Sequence, residues 1–162
     1  MNKIKLISIL AMLLMFSACC SDDKPVCDPV IEKAAIKLAL QKYVIANEAR
    51  NISLISELWA NDSAVLSIGT DRHDVLRGAV AVLEKFKEQY RYFEDTYISA
   101  TNIDIYVHPS CETAWFSEVL QYNYTQGEKA IEYSDLRFTG FMEKRNGAWV
   151  IMHTHLSEPA DK

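Results

Sequence analysis

The sequence predicts an α+β domain, three helices followed by an antiparallel meander, and three observations carry that prediction. Apolar residues recur at three- and four-residue steps over the first half of the chain. After Asp95 the period changes to two, as it does in strands exposed on one face. The end of the chain, Arg137 to Ser157, reads as two strands joined by a tight turn at Arg145-Asn146-Gly147, a hairpin signal between β-branched and aromatic residues.

The first stretch of the chain is not expected to be part of the fold. Lys3 and Lys5 precede a short apolar run, Leu6 to Phe16, and Ser17-Ala18 are the small residues that a signal peptidase accepts. The run is too short to span a bilayer comfortably. Phe16-Ser17-Ala18-Cys19 resembles the bacterial lipobox, with Phe16 where leucine is usual, which implies cleavage before Cys19 and its acylation. The alternative is an ordinary secretory signal with Cys19 and Cys20 incidental. The expected division is therefore 1–18 a lipoprotein signal peptide, 19–28 a tether rich in Ser, Asp, Lys and Pro, 29–158 the domain, and 159–162 a tail. Without residues 1–18 there remain 15 basic and 22 acidic side chains, a net charge of −7. Such a chain has no electrostatic footprint for nucleic acid and would meet anionic lipid only through its anchor. The location expected is the bacterial cell envelope, at the outer membrane or the cell surface. Of the remaining cysteines, Cys27 with Cys111 is the one pairing worth testing, against free thiols.

Asp28 is a plausible N-cap, Pro29 is tolerated in a first turn, and a helix is expected from there to about Arg50. Ile31, Ala34, Leu38 and Ile45 form one apolar stripe; Ile36, Leu40, Tyr43 and Val44 form a second, so the helix is expected to be covered on more than one side. Asn51 to Asn61 predicts a short second helix with Leu54, Leu58 and Trp59 inward. Ala64 to Ile68 predicts a strand, and Gly69 to Gly78 a polar loop. The third helix is expected from Gly78 to about Phe93, on the recurrence Val80, Leu83, Phe86, Tyr90 and Phe93. Strands follow at Tyr97–Val107, Thr113–Tyr124, Ile131–Lys144 and Ala148–Ser157.

Alternation across the final hairpin puts Trp149, Ile151, His153, His155 and Ser157 on one face, and Arg137, Thr139 and Phe141 together on a face of the preceding strand. An apolar strand face that also carries Arg and His points to a partly polar cavity. There a guanidinium requires an anionic partner, either a ligand carboxylate or a protein group such as Glu118. His153 and His155 lack a third ligand at any recognisable spacing, so no metal is expected. Asp71, Asp74, Glu118 and Asp135 are the available carboxylates; Glu118 and Trp115 have opposite parity, so at most one of them faces inward.

These elements and residues resemble the SnoaL-like branch of the nuclear-transport-factor-2-like superfamily over about residues 30–158. The resemblance rests on the long first helix, Leu58-Trp59-x-x-Asp62, Gly78 opening the third helix, and Arg137-x-Thr139. It rests above all on Asn146-Gly147-x-Trp149-x-Ile151-x-His153-x-His155-x-Ser157. That tail is also similar to the association domain of calcium/calmodulin-dependent kinase II. The resemblance implies a cone, three N-terminal helices on a curved antiparallel sheet, with a pocket at the wide end and homodimers formed through the sheet. The superfamily's isomerases use a cavity carboxylate as a proton shuttle, but no carboxylate here matches a catalytic motif, and the fold alone does not decide activity.

The reading that follows is a lipid-anchored domain that binds a small polar or carboxylate-bearing ligand, with no assigned reaction. Arg137, His153, Tyr43, Trp59, Trp115 and His155 are its candidate ligand-binding residues, and Cys19 is its lipidation site. No phosphate loop, dinucleotide fingerprint or nucleophile elbow is present, and no cofactor is expected. The alternatives are an isomerase, dehydratase or cyclase of the ketosteroid-isomerase type, and a dimeric interaction module with a vestigial pocket.

Overall fold

The computed structural model describes residues 27–160. Cys19, the signal peptide and most of the tether lie outside the described residues. Helix α1 spans Pro29–Glu48, and Asp28 caps it by accepting from the Val30 amide at 2.9 Å. Helix α2, Ile52–Leu58, is capped in the same way by Asn51, which accepts from the Leu54 amide at 3.0 Å. Two three-residue strands follow, β1 (Leu66–Ile68) and β2 (Val75–Arg77), then helix α3 (Ala79–Tyr92). Four long strands complete the chain: β3 (Glu94–Val107), β4 (Thr113–Gln126), β5 (Lys129–Arg145) and β6 (Ala148–Ser157). Strand β2 falls inside the stretch expected to be loop; three residues are too few for an alternation to register.

The six strands form one sheet in the order β2-β1-β6-β5-β4-β3. All neighbours pair antiparallel except β1 with β6, which run parallel, so the sheet is mixed and not purely antiparallel. Its outer strands β2 and β3 do not pair with each other, and the sheet is neither closed nor strongly curled. The expected cone is corrected accordingly: three helices pack on an open mixed sheet.

One stripe of α1, not two, enters the core. Ile36 and Leu40 are buried, whereas Ile31, Leu38 and Ile45 are 64%, 54% and 55% exposed. The helix is therefore covered on one side only. On α3, Val82 and Phe86 are buried and Val80 faces solvent.

Two ties hold α1 down. Cys27 and Cys111 form a disulfide across 84 residues, with Cα atoms 5.6 Å apart, linking the start of α1 to the β3–β4 turn. Glu32 accepts from Lys144 Nζ at 2.6 Å and from Trp149 Nε1 at 2.8 Å. The Lys144 hydrogen bond is the main cause of a Glu32 pKa below the usual 4.5. A depressed carboxylate contributes stability above its unfolded pKa and loses it as pH falls through the folded one. Replacing Glu32 with alanine leaves the Lys144 ammonium and the Trp149 N–H without their acceptor. We expect a loss of about 2–3 kcal/mol in urea denaturation at neutral pH, shrinking as the pH is taken below 4.5. A loss that is the same at both pH values would contradict this assignment.

Candidate functional site

Two β-bulges decide which side chains reach the space between the helices and the sheet. In the β5–β6 pair, Met142 lies opposite Ile151 but Phe141 lies opposite His153, so Met152 is an extra residue. A bulge reverses the parity of everything beyond it. Ile151 is inward on one side of it, and Thr154 and Leu156 on the other, while His153 and His155 turn outward. In the β4–β5 pair a second shift lies between the partners Leu120↔Leu136 and Tyr122↔Tyr133. The inward row of β4 is Phe116, Glu118, Leu120 and Tyr122; opposite it stand Gly140, Phe138, Leu136 and Tyr133.

Tyr122, Tyr133, Leu136 and Phe138 of this row form the floor of a cavity of about 410 Å³, a size ordinary for small-molecule sites. Tyr122, Tyr124, Tyr133, Phe138, Thr154 and Leu156 come from the long strands. Tyr43 and Asn47 project from α1, and Phe86, Gln89 and Tyr92 from α3. The β1–β2 segment closes one side with Ser67, Thr70, Asp71, Asp74 and Leu76. Tyr43 stacks on Phe138 with centroids 5.1 Å apart, and Phe93 on Tyr124 at 3.8 Å. Asn47 is fixed by donating from Nδ2 to the Tyr43 carbonyl at 2.8 Å and accepting from the Tyr90 hydroxyl at 3.4 Å. Ser67 and Thr154 hydroxyls are 3.1 Å apart. Burial raises the pKa of Tyr43, Tyr90 and Tyr122, and pushes Tyr124 up to about 12. All four phenols therefore remain protonated hydrogen-bond donors at neutral pH.

Glu118 is the unusual group. It is 1% exposed, and neither carboxylate oxygen has a hydrogen-bond partner among the described residues. Burial alone pushes its pKa from 4.5 to about 7. It does not itself line the cavity; it lies on β4 directly opposite Phe138, which does, and close enough to Tyr43 for its charge to bear on that phenol. An unpartnered buried acid is costly, and residues of this kind concentrate at functional sites.

Of the residues expected at the pocket, Tyr43 lines the cavity. Arg137 does not: it is exposed on the opposite face of the sheet, paired with Val119 and Ser157. It therefore forms no internal pair with Glu118, whose parity is opposite. Trp115 also faces outward, half exposed, beside Tyr106. His153 stands on that outer face opposite Phe141, with Nδ1 3.1 Å from the Leu66 carbonyl. A carbonyl only accepts, so Nδ1 carries the proton. His155 is exposed. Trp59 is buried in the core near Phe86, which lines the cavity in its place. Asn47, Tyr122, Tyr124, Tyr133 and Thr154 were not anticipated. The one usable signal was the common parity of Glu118, Leu120, Tyr122 and Tyr124.

The fold is a known one. A structure of a proposed dehydratase from the nuclear-transport-factor-2-like family of Streptomyces avermitilis superposes with a TM-score of 0.74 at 15% identity, over 83% of this chain and 100% of that one. A proposed scytalone dehydratase from Novosphingobium aromaticivorans gives 0.70 at 15% identity, over 81% and 86%. A proposed calcium/calmodulin-dependent protein kinase II association domain from Xanthomonas campestris gives 0.68 at 19% identity, over 85% and 93%. At these identities the likeness establishes the fold alone. Comparison with curated proteins finds no match. The SnoaL-like domain family matches residues 36–161, which is most of the chain and all of the cavity. This chain belongs to the SnoaL-like domain family.

Proposed function

We propose that the domain is an acid–base enzyme of the isomerase, dehydratase or cyclase type, acting on a small molecule held in the tyrosine-lined cavity. The observation that carries this reading is Glu118, a buried carboxyl without a partner whose pKa lies near neutrality. Such a group both gives and takes a proton at working pH. Tyr43 lines the cavity and lies close enough to Glu118 to feel its charge. In a dehydration, Glu118 is the final acceptor of the proton removed from carbon. The protonated Glu118 then returns one to the departing hydroxide, which leaves as water. The remaining phenols orient the ligand's oxygen atoms. Two structural relatives named as proposed dehydratases support this reading over binding without chemistry.

The reading extends to place and assembly. Acylation at Cys19 would hold the domain at the bacterial envelope, and the Cys27–Cys111 disulfide suits an oxidising compartment. The outer face of the sheet carries exposed Tyr106, Trp115 and Phe141 in one cross-strand row, an apolar surface suited to a second copy of the chain.

Native mass spectrometry of protein extracted from its own membrane fraction tests all three parts. The expected species is a dimer with acyl mass on Cys19 and a retained small molecule. Returned to fresh enzyme, that molecule should lose one water or rearrange at constant mass. A retained molecule that the enzyme leaves unchanged would refute the enzymatic reading. A Trp115→Glu variant that stays dimeric would refute the interface.

A further inference from the structure

The cavity carries a charge pattern that bears on what enters it. Four charged side chains line it: Asp71, Asp74 and Glu88 against Lys85. Lys85 Nζ lies 3.3 Å from Asp74 Oδ1, so its charge is already matched. Among the described residues neither Asp71 nor Glu88 forms a salt bridge. Arg72, Arg77 and Arg137 are exposed and none of them lines the cavity. Arg50, which donates to the Phe93 carbonyl at 3.4 Å, and Arg91 on α3 do not line it either. The lining is thus left with two carboxylates that form no salt bridge, Asp71 and Glu88.

The walls are aromatic and suit a flat ring. Tyr124 stacks on Phe93 and lies 6.4 Å from Tyr133, with Tyr122 edge-on at 6.0 Å. Lys85 is the one basic side chain among the described residues that line the cavity. A carboxylate ligand would meet acid at the rim, and the one lining cation, Lys85, is already paired with Asp74.

We infer that the cavity selects an aromatic or cyclic ligand bearing a protonated amine and excludes its carboxylate counterpart, with the ammonium at the rim beside Asp71 and Glu88. This rests on the reading of the cavity as a ligand site, and it reverses the preference for an anion that Arg137 had implied.

Three probes sharing one ring and one attachment point separate the contributions: naphthylmethylamine, naphthylmethanol and naphthoic acid. They are titrated into the mature protein at neutral pH and low salt, with ligand-observed NMR as the readout. The amine should bind at least about tenfold more tightly than the acid, with the alcohol between them. In the Asp71→Asn/Glu88→Gln double variant the amine-to-acid ratio should fall towards one while the alcohol's affinity stays unchanged. An acid that binds as tightly as the amine, with the alcohol still bound, overturns the inference and leaves the cavity reading standing. So does a ratio that survives in the double variant. Failure of all three probes to bind overturns both.

Discussion

Glu118→Gln should make the protein more stable above pH 7 and remove its chemistry. The folded-state pKa of Glu118, about 7, lies above the ordinary 4.5 because burial penalises the charged form. Between those values the folded state holds a proton that the unfolded state releases. The stability tied to this group is therefore complete below pH 4.5, declines as pH rises, and is fully lost above about 7. The interval corresponds to about 3 kcal/mol. Glutamine keeps the shape and does not titrate. Urea midpoints of the parent and the variant should therefore differ little near pH 4.5 and diverge in favour of the variant above 7. Turnover should fall at least about a hundredfold in the variant, the usual worth of a positioned proton-transfer group. Parallel stability curves across this range would show that Glu118 is not a buried titrating acid. Undiminished turnover would exclude it from the reaction while leaving the stability argument intact.

The second large effect is expected at Gly140. A Cβ there would lie 2.5 Å from Phe116 Cε1 and Cζ, and 2.6 Å from the His153 carbonyl oxygen. The ring of Phe116 crosses directly over the glycine, its strand partner, and packs edge-on against Phe138 with centroids 5.2 Å apart. Phe116 is 1% exposed, so the ring has nowhere to move, and the carbonyl belongs to the β6 backbone. Gly140→Ala must displace both. It should cost about 3 kcal/mol or more and lower the melting temperature by roughly 10 °C. Adding Phe116→Leu should recover only part of the loss, because the contact with the β6 carbonyl remains. Calorimetry of the single and double variants checks this. A single variant within about 1 kcal/mol of the parent would contradict the close approach.

Gly140 also shows where reading the residues stops. Its position inside an alternating strand was legible; the ring that requires its missing side chain lies 24 positions earlier, across a strand pair. The helices, the long strands and the Asn146-Gly147 turn follow from local periods and turn chemistry, so the sequence alone settles them. The family was legible from the tail motif for the same reason. Arg137 shares the outward parity of β5, opposite to Leu136, Phe138 and Gly140, and only the β4–β5 pairing shows which of its two faces is covered. The two histidines follow the inward parity of Trp149 and Ile151 as far as the turn allows it to be read. The extra residue at Met152 breaks that parity, and a bulge leaves no trace in an alternation that stays apolar on both sides of it. Likewise, Ile31, Leu38 and Ile45 form as regular a stripe as Ile36 and Leu40; only packing decides which of them the sheet covers.

What the chain by itself determined is the order of its helices and long strands, its α+β class and its family, because these depend on near neighbours. The tertiary structure alone decided that the sheet stays open and that Arg137 lies outside the cavity. It also decided that Glu118 is the acid without a partner. A carboxyl becomes unusual only through loss of water, and that depends on Tyr43 and Phe138, which come from distant parts of the chain.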